Sequence, residues 1–146
     1  MNIKEYIKEQ RLITDGAMGT YYEEKYSEDT VIAEKKNLKN PKQIKEIHLE
    51  YLRAGARLIR TNTFAANTMF LADMQEVKET VRAGYEIAKE AVASFQAENG
   101  KEIPVFIGAD LGPIYDLDHQ DYDNVLQEYK EICDTFLSCG ADCFVF

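Results

Sequence analysis

The sequence predicts an α/β fold in which about four parallel strands alternate with helices. Short apolar runs of strand length are separated by longer segments with the 3.6-residue periodicity of amphipathic helices. The runs are apolar along their whole length, which is typical of a parallel sheet covered by helices. The succession of helix end, Gly-Ala and strand also occurs twice, at residues 51–59 and 136–144, which indicates a repeated βα unit.

The first half of the chain contains two of the predicted strands. A short polar helix is predicted over residues 1–10, and a first strand follows at residues 11–14. Asn40 and Pro41 predict the start of the next helix, because Asn can cap free N–H groups and Pro suits the first helical position. A second strand is predicted at residues 57–62.

The second half repeats this alternation. A long helix is predicted over residues 77–99, followed by a third strand at residues 104–108. A further apolar stripe predicts a helix over residues 122–136, and the apolar residues 143–146 predict a fourth strand. Four strands are half of a (βα)8 barrel, which typically needs about 250 residues. A complete four-stranded flavodoxin-like sheet is the alternative, and the pattern alone is compatible with both.

Composition and charge restrict the function. The chain has 146 residues, 45% of them hydrophobic and 29% charged, as expected for one globular domain. Its formal net charge of −9 disfavours binding to nucleic acid or to anionic lipid. No run approaches the roughly 18 apolar residues of a membrane span, and the N-terminus lacks the apolar core of a signal peptide. We therefore expect a cytoplasmic protein with no membrane or nucleic-acid partner.

The cysteines and histidines give no convincing catalytic or metal site. Cys133 and Cys139 fall on a predicted helix and Cys143 on a predicted strand, without a Cys-x-x-Cys pair, so structural packing is favoured over metal binding. His48 lies on the apolar face of a helix, where we expect a packed histidine. His119 lies in an acidic stretch that we expect to be a solvated loop.

Ligands of parallel βα folds gather where strands end and loops begin, and the first such position is Gly-rich. Asp15 and Gly16 directly follow the first predicted strand. The carboxylate of Asp15 is suited to an ammonium group, and glycine permits close approach of a ligand. A simple turn with Asp15 as a helix cap is the alternative. The segment is not a phosphate loop, because Gly-x-x-Gly is too short and no Lys follows, which argues against the nucleotide or flavin binding of a flavodoxin-like domain.

Two further strand ends are polar or Gly-rich. The second predicted strand ends in side chains suited to hydrogen bonding with a carboxylate, followed by an aromatic residue: Thr61, Asn62, Thr63 and Phe64. The third is followed by Asp110 and by Gly112, which begins a Gly-Pro turn. Asp110 is either a ligand contact or the partner of Arg60, since an unpaired charge in an apolar strand is costly.

Four segments, in order and approximate spacing, resemble the homocysteine S-methyltransferase family. They are Asp-Gly-Ala-Met-Gly-Thr at 15–20, Gly-Ala-Arg-Leu-Ile-Arg-Thr-Asn-Thr-Phe at 55–64, Gly-Ala-Asp-Leu-Gly-Pro at 108–113 and Gly-Ala-Asp-Cys-Phe-Val-Phe at 140–146. The resemblance covers nearly the whole chain. It is greatest to the homocysteine-binding module of cobalamin-dependent methionine synthases, or to the similar module fused to a methylenetetrahydrofolate reductase.

The resemblance implies a fold and an activity. Residues 1–146 would form the N-terminal half of a (βα)8 TIM barrel, with parallel strands in the order 1-2-3-4. The complete enzyme would transfer a methyl group to the sulfur of homocysteine to form methionine. By position, Asp15 and Gly16 would face the amino group of homocysteine, and the Thr61 to Phe64 segment would line the carboxylate side.

The resemblance also implies that the metal site belongs to the other half. In the family, three cysteine thiolates hold a zinc ion that binds the homocysteine sulfur; a free thiol has a pKa of about 8.5, so metal coordination is what removes its proton at neutral pH. Those cysteines lie on later strands, beyond Phe146, as does a family Glu that contacts the substrate amino group. We therefore expect no specific zinc binding and no catalysis by this chain alone.

The implied partners are homocysteine, the remaining half of the barrel and possible cobalamin or folate modules. The methyl donor, methylcobalamin or methyltetrahydrofolate for the modules named above and betaine or S-methylmethionine elsewhere in the family, would be contacted outside this segment. A different class of function is a self-assembling half-barrel or a binding module without catalysis, because an open half-barrel exposes an apolar face and unpaired strand edges.

Overall fold

A computed structural model describes residues 2–28, 32–100, 102–115 and 121–146, so the prediction for His119 lies outside the described residues. In chain order, the elements are α1 (Ile3–Glu9), α2 (Gly19–Tyr26), a 3-10 turn (Ala33–Lys35), α3 (Lys36–Lys39), α4 (Pro41–Arg53), β1 (Leu58–Arg60), α5 (Met74–Asn99), β2 (Phe106–Asp110), α6 (Tyr122–Ser138) and β3 (Phe144–Val145).

The strands form a parallel sheet in the order β1-β2-β3. Arg60 of β1 lies opposite Gly108 of β2, and Asp110 of β2 lies opposite Val145 of β3. The predicted α/β class and parallel sheet are therefore confirmed. The chain order of these three strands is also their order in the sheet.

The prediction that residues 11–14 form a strand is wrong. Residues 11–14 make a single parallel bridge, from Thr14 to Leu58. The Ile13 carbonyl accepts from the Arg57 N–H at 2.8 Å, and the Asp15 N–H donates to the Leu58 carbonyl at 3.0 Å. The segment thus lies beside β1, but these few bonds form a bridge and not a strand ladder, so a four-strand order is not shown.

The helices cover the sheet through two apolar clusters. Leu52 of α4 and Phe95 of α5 pack with Ile59 of β1. Val81 of α5 and Phe136 of α6 pack with other buried residues around Ala109 of β2. The long helix α5 therefore contributes to both clusters, and the burial of this apolar surface stabilises the layer against the sheet.

Several local predictions are corrected. The Asn40 side chain does not cap α4; its amide instead donates to the Gln43 carboxamide oxygen at 2.7 Å. The helices α2 and α3 were not predicted, and β2 lies two residues further along the chain than the predicted third strand. Within the described ranges, no helix is long and apolar enough to cross a membrane.

Candidate functional site

A cavity of about 410 Å³ lies at the carboxyl ends of β1 and β2, beside α2 and the 3-10 turn; we call it the strand-end cavity. It brings together seven of the predicted site residues from three segments of the chain: Asp15, Gly16, Thr61, Asn62, Thr63, Phe64 and Asp110. The eighth, Gly112, supports this edge through a backbone contact described below. The carboxyl ends of parallel strands meet at one edge of the sheet, which explains why distant segments converge here.

Asp15 is engaged by Arg60 on both carboxylate oxygens. One oxygen accepts from the Arg60 backbone N–H at 2.9 Å, and the other accepts from Nε of the same residue at 2.9 Å. The Asp15 side chain is only 3% exposed. Burial raises the pKa of the Asp15 carboxyl, and the hydrogen bonds from Arg60 oppose that shift. The partner of Arg60 is therefore Asp15, and the predicted alternative of an Arg60–Asp110 pair is wrong.

The hydroxyl groups of Thr61 and Thr63 join the end of β1 to the end of β2. Thr63 Oγ1 donates to the Asp110 carbonyl at 2.7 Å, and the two hydroxyl oxygens are 2.6 Å apart. Thr61 Oγ1 also accepts from the Asp110 N–H at 3.0 Å. Because Thr63 donates to Asp110, Thr61 must donate to Thr63, so both hydroxyl protons are used within the protein.

The side-chain amide of Asn62 also donates its protons to groups within the protein. Its Nδ2 donates to the Ala33 carbonyl at 3.0 Å and to Asn37 Oδ1 at 2.8 Å. Asn37 in turn donates to the Asn62 carbonyl at 2.7 Å. This buried amide pair fixes the 3-10 turn and α3 against the end of β1, and both Nδ2 protons of Asn62 are occupied.

Gly112 supports the cavity rim through its backbone. Its N–H donates to the Phe64 carbonyl at 3.1 Å. A Cβ atom at this position would lie 2.2 Å from the same carbonyl oxygen, so a side chain here would force the two segments apart. Phe64 itself is 55% exposed and lines the cavity. The close approach of these two loops explains why glycine is needed here.

Among the cavity carboxylates of Asp15, Glu34 and Asp110, the carboxylate of Asp110 accepts the fewest hydrogen bonds. It is 8% exposed, and among the described residues its carboxylate receives no hydrogen bond. Burial raises the pKa of Asp110 to about 6; Arg60 opposes this shift, whereas Asp15 and Glu34 add to it. Glu34, by contrast, accepts from the Ala65 N–H at 2.9 Å.

The sequence patterns do not place Glu34, or Glu23 of α2, at the cavity that they line. Glu34 comes from the 3-10 turn, a short segment without a periodic signal. The one sequence signal for Arg60 is its charge within an apolar strand, because such a charge needs a partner. Its guanidinium lines the cavity beside Asp15.

The cysteines present do not fit a zinc site. Cys133 and Cys139 pack against the core cluster between α5 and α6, and Cys143 lies at the amino end of β3, away from the cavity. Burial raises the thiol pKa of both Cys133 and Cys143, which disfavours the thiolate that zinc requires. Over the described ranges, no group of three or more His, Cys, Asp or Glu is arranged to hold a metal ion.

Comparison with known proteins gives a family match over most of the chain. A family model described as homocysteine S-methyltransferase matches residues 12–146. The homocysteine S-methyltransferase of Escherichia coli (strain K12) is 30% identical over 112 residues, which cover 73% of this chain and 36% of that protein. The methionine synthase of Mycobacterium leprae (strain TN) is 27% identical over 155 residues, covering 97% of this chain and 12% of that protein.

Solved structures share the fold. The oxidized form of the homocysteine methyltransferase MmuM from Escherichia coli has a TM-score of 0.84 at 24% identity, covering 97% of this chain and 55% of that one. Its apo form has a TM-score of 0.75 at 27% identity, covering 94% of this chain and 49% of that one. The chain therefore spans about half the length of these structures and 36% of the curated relative from the same organism.

Proposed function

The chain belongs to the homocysteine S-methyltransferase family, and from that premise we propose that it holds the amino-acid end of homocysteine within a methyltransferase barrel. The methyl group would be transferred to the homocysteine sulfur to give methionine. The observation that carries the proposal is the strand-end cavity, which collects seven predicted site residues from three segments. The fold match to about half of a barrel protein favours this interpretation over a flavodoxin-like domain.

In this proposal the residues of the chain bind and orient, and activation of the sulfur belongs to other residues. The cavity contains the guanidinium of Arg60 and the carboxylates of Asp15, Glu34 and Asp110, which suit a zwitterion. The cysteines present do not fit zinc, so no step through a metal is assigned to them. We propose that residues 1–146 form the first half of the barrel and do not catalyse methyl transfer alone.

Binding of L-homocysteine tests the first part. In ¹⁵N-resolved NMR of the reduced protein, millimolar L-homocysteine should shift the resonances of Gly16, Phe64 and Ala65 and leave those of α6 unchanged. The variant Asp15→Asn should weaken binding several-fold, because the carboxylate that holds Arg60 is lost. Asp134→Asn, an exposed change on α6, is the matched control. Shifts that are absent, or that spread evenly over the surface, would contradict the proposal.

Catalysis and zinc binding test the second part. With homocysteine and a methyl donor (methylcobalamin, methyltetrahydrofolate or S-methylmethionine in separate assays), we expect no methionine above the protein-free rate. Zinc should bind weakly and without fixed stoichiometry in calorimetry. Methionine formation proportional to protein concentration, or one tightly bound zinc per chain, would show that the division between two halves is wrong.

Self-association is a second proposal, favoured by the exposed apolar edges. Ile13, beside β1, is 58% exposed and Phe146, beside β3, is 83% exposed. Pairing of two copies would cover both edges. Sedimentation velocity should then show a dimer that Ile13→Glu converts to monomer. A wild-type chain that sediments as a monomer at every concentration would rule this proposal out.

A further inference from the structure

We propose that a second cavity, at the amino ends of β2 and β3, binds a small organic ammonium compound with an apolar body. Its volume is about 780 Å³, and we call it the amino-end cavity. A cavity of this size can enclose a small organic molecule. It lies at the opposite end of the sheet from the strand-end cavity, so the proposal does not depend on the function proposed above.

The start of α1 and the start of β2 form the apolar wall of the amino-end cavity. Ile3, Val105 and Phe106 line it, and each of them is only partly buried by the protein. Tyr6 of α1 packs edge-on to Phe106, with the ring centroids 5.4 Å apart. This contact holds α1 against the sheet, so the wall is built from two segments that are distant in sequence. Such a wall is suited to a hydrocarbon or aromatic body.

The hydroxyl of Tyr85 is a buried polar group that faces this cavity. Tyr85 belongs to α5, is 5% exposed and packs its ring against Phe136, with a centroid distance of 6.1 Å. Among the described residues, its hydroxyl has no hydrogen-bond partner. Because the ring is enclosed by the core and the residue lines the cavity, the hydroxyl is the end that opens into the cavity. A ligand that donates a hydrogen bond would supply the missing partner.

The groups around the Tyr85 hydroxyl favour a positively charged donor. Burial raises the pKa of Tyr85, and all of the side chains that add most to this shift are negative when ionised: Asp142, Cys139, Glu86 and Cys143. Asp142 lines the same cavity, and it makes no ion pair or hydrogen bond within the part of the chain that the structure describes. An ammonium group can bind both the hydroxyl oxygen and this carboxylate.

Lys4 does not neutralise this part of the cavity. It is the cationic side chain among the described lining residues, but it is exposed and is not one of the four groups that add most to the pKa shift of Tyr85. The formal net charge of −9 also favours a cation over an anion as the ligand.

The amino-end cavity is suited to binding and not to reaction. Burial and the charge of Asp142 raise the pKa of the Cys143 thiol, which disfavours the nucleophilic thiolate. The active sites of barrel enzymes also lie at the opposite, carboxyl ends of their strands. A ligand bound here should therefore stabilise the fold and raise its melting temperature.

Three probes of matched shape test the charge preference at pH 7. They share a phenylethyl body and carry an ammonium, a hydroxyl or a carboxylate group: 2-phenylethylamine, 2-phenylethanol and 3-phenylpropanoate. In ¹⁵N-resolved NMR titrations to tens of millimolar, the amine should shift the resonances of Gly140, Asp142 and Cys143 and leave those of Gly16 and Phe64 unchanged. Its Kd should be about fivefold lower than that of the alcohol, and the carboxylate should not bind.

Two variants separate the two contacts. Tyr85→Phe keeps the ring in the core and should raise the Kd of both the amine and the alcohol about threefold. Asp142→Asn should raise the Kd of the amine about threefold and leave that of the alcohol unchanged. Tyr122→Phe and Asp134→Asn remove the same groups from exposed positions on α6 and should change neither Kd.

The outcomes are independent of homocysteine binding, which is measured at Gly16 and Phe64 at the other end of the sheet. Binding of the carboxylate as tight as that of the amine would overturn the proposal, as would amine binding that neither Tyr85→Phe nor Asp142→Asn weakens. If the amine shifts no resonance of the amino-end cavity, or shifts only those of the strand-end cavity, the site does not exist.

Discussion

The helix layer of α4 and α5 and the strand-end cavity both contain buried polar atoms without a described partner, but those atoms face different surroundings. In the helix layer, His48 and Thr80 are completely buried, and both ring nitrogens and the hydroxyl lack a partner among the described residues. In the cavity, the carboxylate of Asp110 and Nη1 of Arg60 have no hydrogen-bond partner among the described residues, but both side chains line a space of about 410 Å³. An unpaired group in packed core only lowers stability, whereas one beside a cavity can also bind a ligand.

The two regions respond to pH in opposite directions. Burial lowers the pKa of His48 from 6.5 to about 4, so the fold favours the neutral ring and loses stability as pH falls from 6.5 towards 4. Burial raises the pKa of Asp110 from 3.8 to about 6, so the fold favours the protonated acid and loses stability as pH rises from 3.8 towards 6. The opposing contributions should give the wild-type protein a shallow pH dependence from these two groups between about 4 and 6.

The largest expected effect comes from Gly112→Ala, which tests whether the cavity rim is packed as tightly as the helix layer. The new Cβ would lie 2.2 Å from the Phe64 carbonyl oxygen, which is backbone and cannot rotate away. We expect a loss of about 3 kcal/mol or more in the free energy of unfolding, measured by urea denaturation. Gly19→Ala is the control, because its nearest neighbour would be 4.0 Å away. Equal stability of the two variants would mean that the cavity rim adjusts to the added methyl group and is packed less tightly than the helix layer.

His48→Leu should remove the acid sensitivity of the helix layer. The shift from 6.5 to about 4 corresponds to about 3 kcal/mol once the pH is below both values. Relative to wild type, the variant should therefore gain about 3 kcal/mol in the free energy of unfolding between pH 7 and pH 4. Parallel stability curves for the two proteins over this range would show that His48 is not held neutral by burial.

Asp110→Asn should have the opposite pH signature. At pH 7 the ionised carboxylate destabilises the fold, so its removal should stabilise by up to about 3 kcal/mol; near pH 4 the effect should nearly vanish. Asp134→Asn, an exposed change, should have little effect at either pH. A destabilising Asp110→Asn at pH 7 would mean that the carboxylate is held by the protein and is not left open for a ligand.

The helix layer could be predicted from sequence better than the sheet. The helices α4, α5 and α6 were predicted because each carries its own apolar periodicity within a few turns. Strand limits depend on pairing with a distant segment, which explains why β2 was placed two residues early and why residues 11–14 form a bridge and no strand. The helix α2 was missed because its polar, tyrosine-rich sequence has no apolar stripe and buries only Tyr22 fully.

The location of the cavity could be predicted, but its internal bonding could not. Parallel strand ends meet, so polar residues after each strand were expected to converge, as Asp15, Thr61 and Asp110 do. Which of them remain available to a ligand depends on distances that periodicity does not encode. The Thr61–Thr63 bond and the choice of Asp15 as the partner of Arg60 are examples of such distances.

The smallest expected effect comes from Thr80→Val, which tests the comparison at a single hydroxyl. Thr80 is 0% exposed and its Oγ1 has no described partner, so replacement by a group of the same shape should stabilise by about 1 kcal/mol. Thr135→Val is the matched control, because that buried hydroxyl donates to the Glu131 carbonyl at 2.7 Å. It should be neutral or destabilising by a similar amount. If both variants lose stability equally in urea denaturation, the Thr80 hydroxyl has a hydrogen-bond partner in solution. The helix layer would then lack the unpaired hydroxyl on which this part of its comparison with the cavity rests.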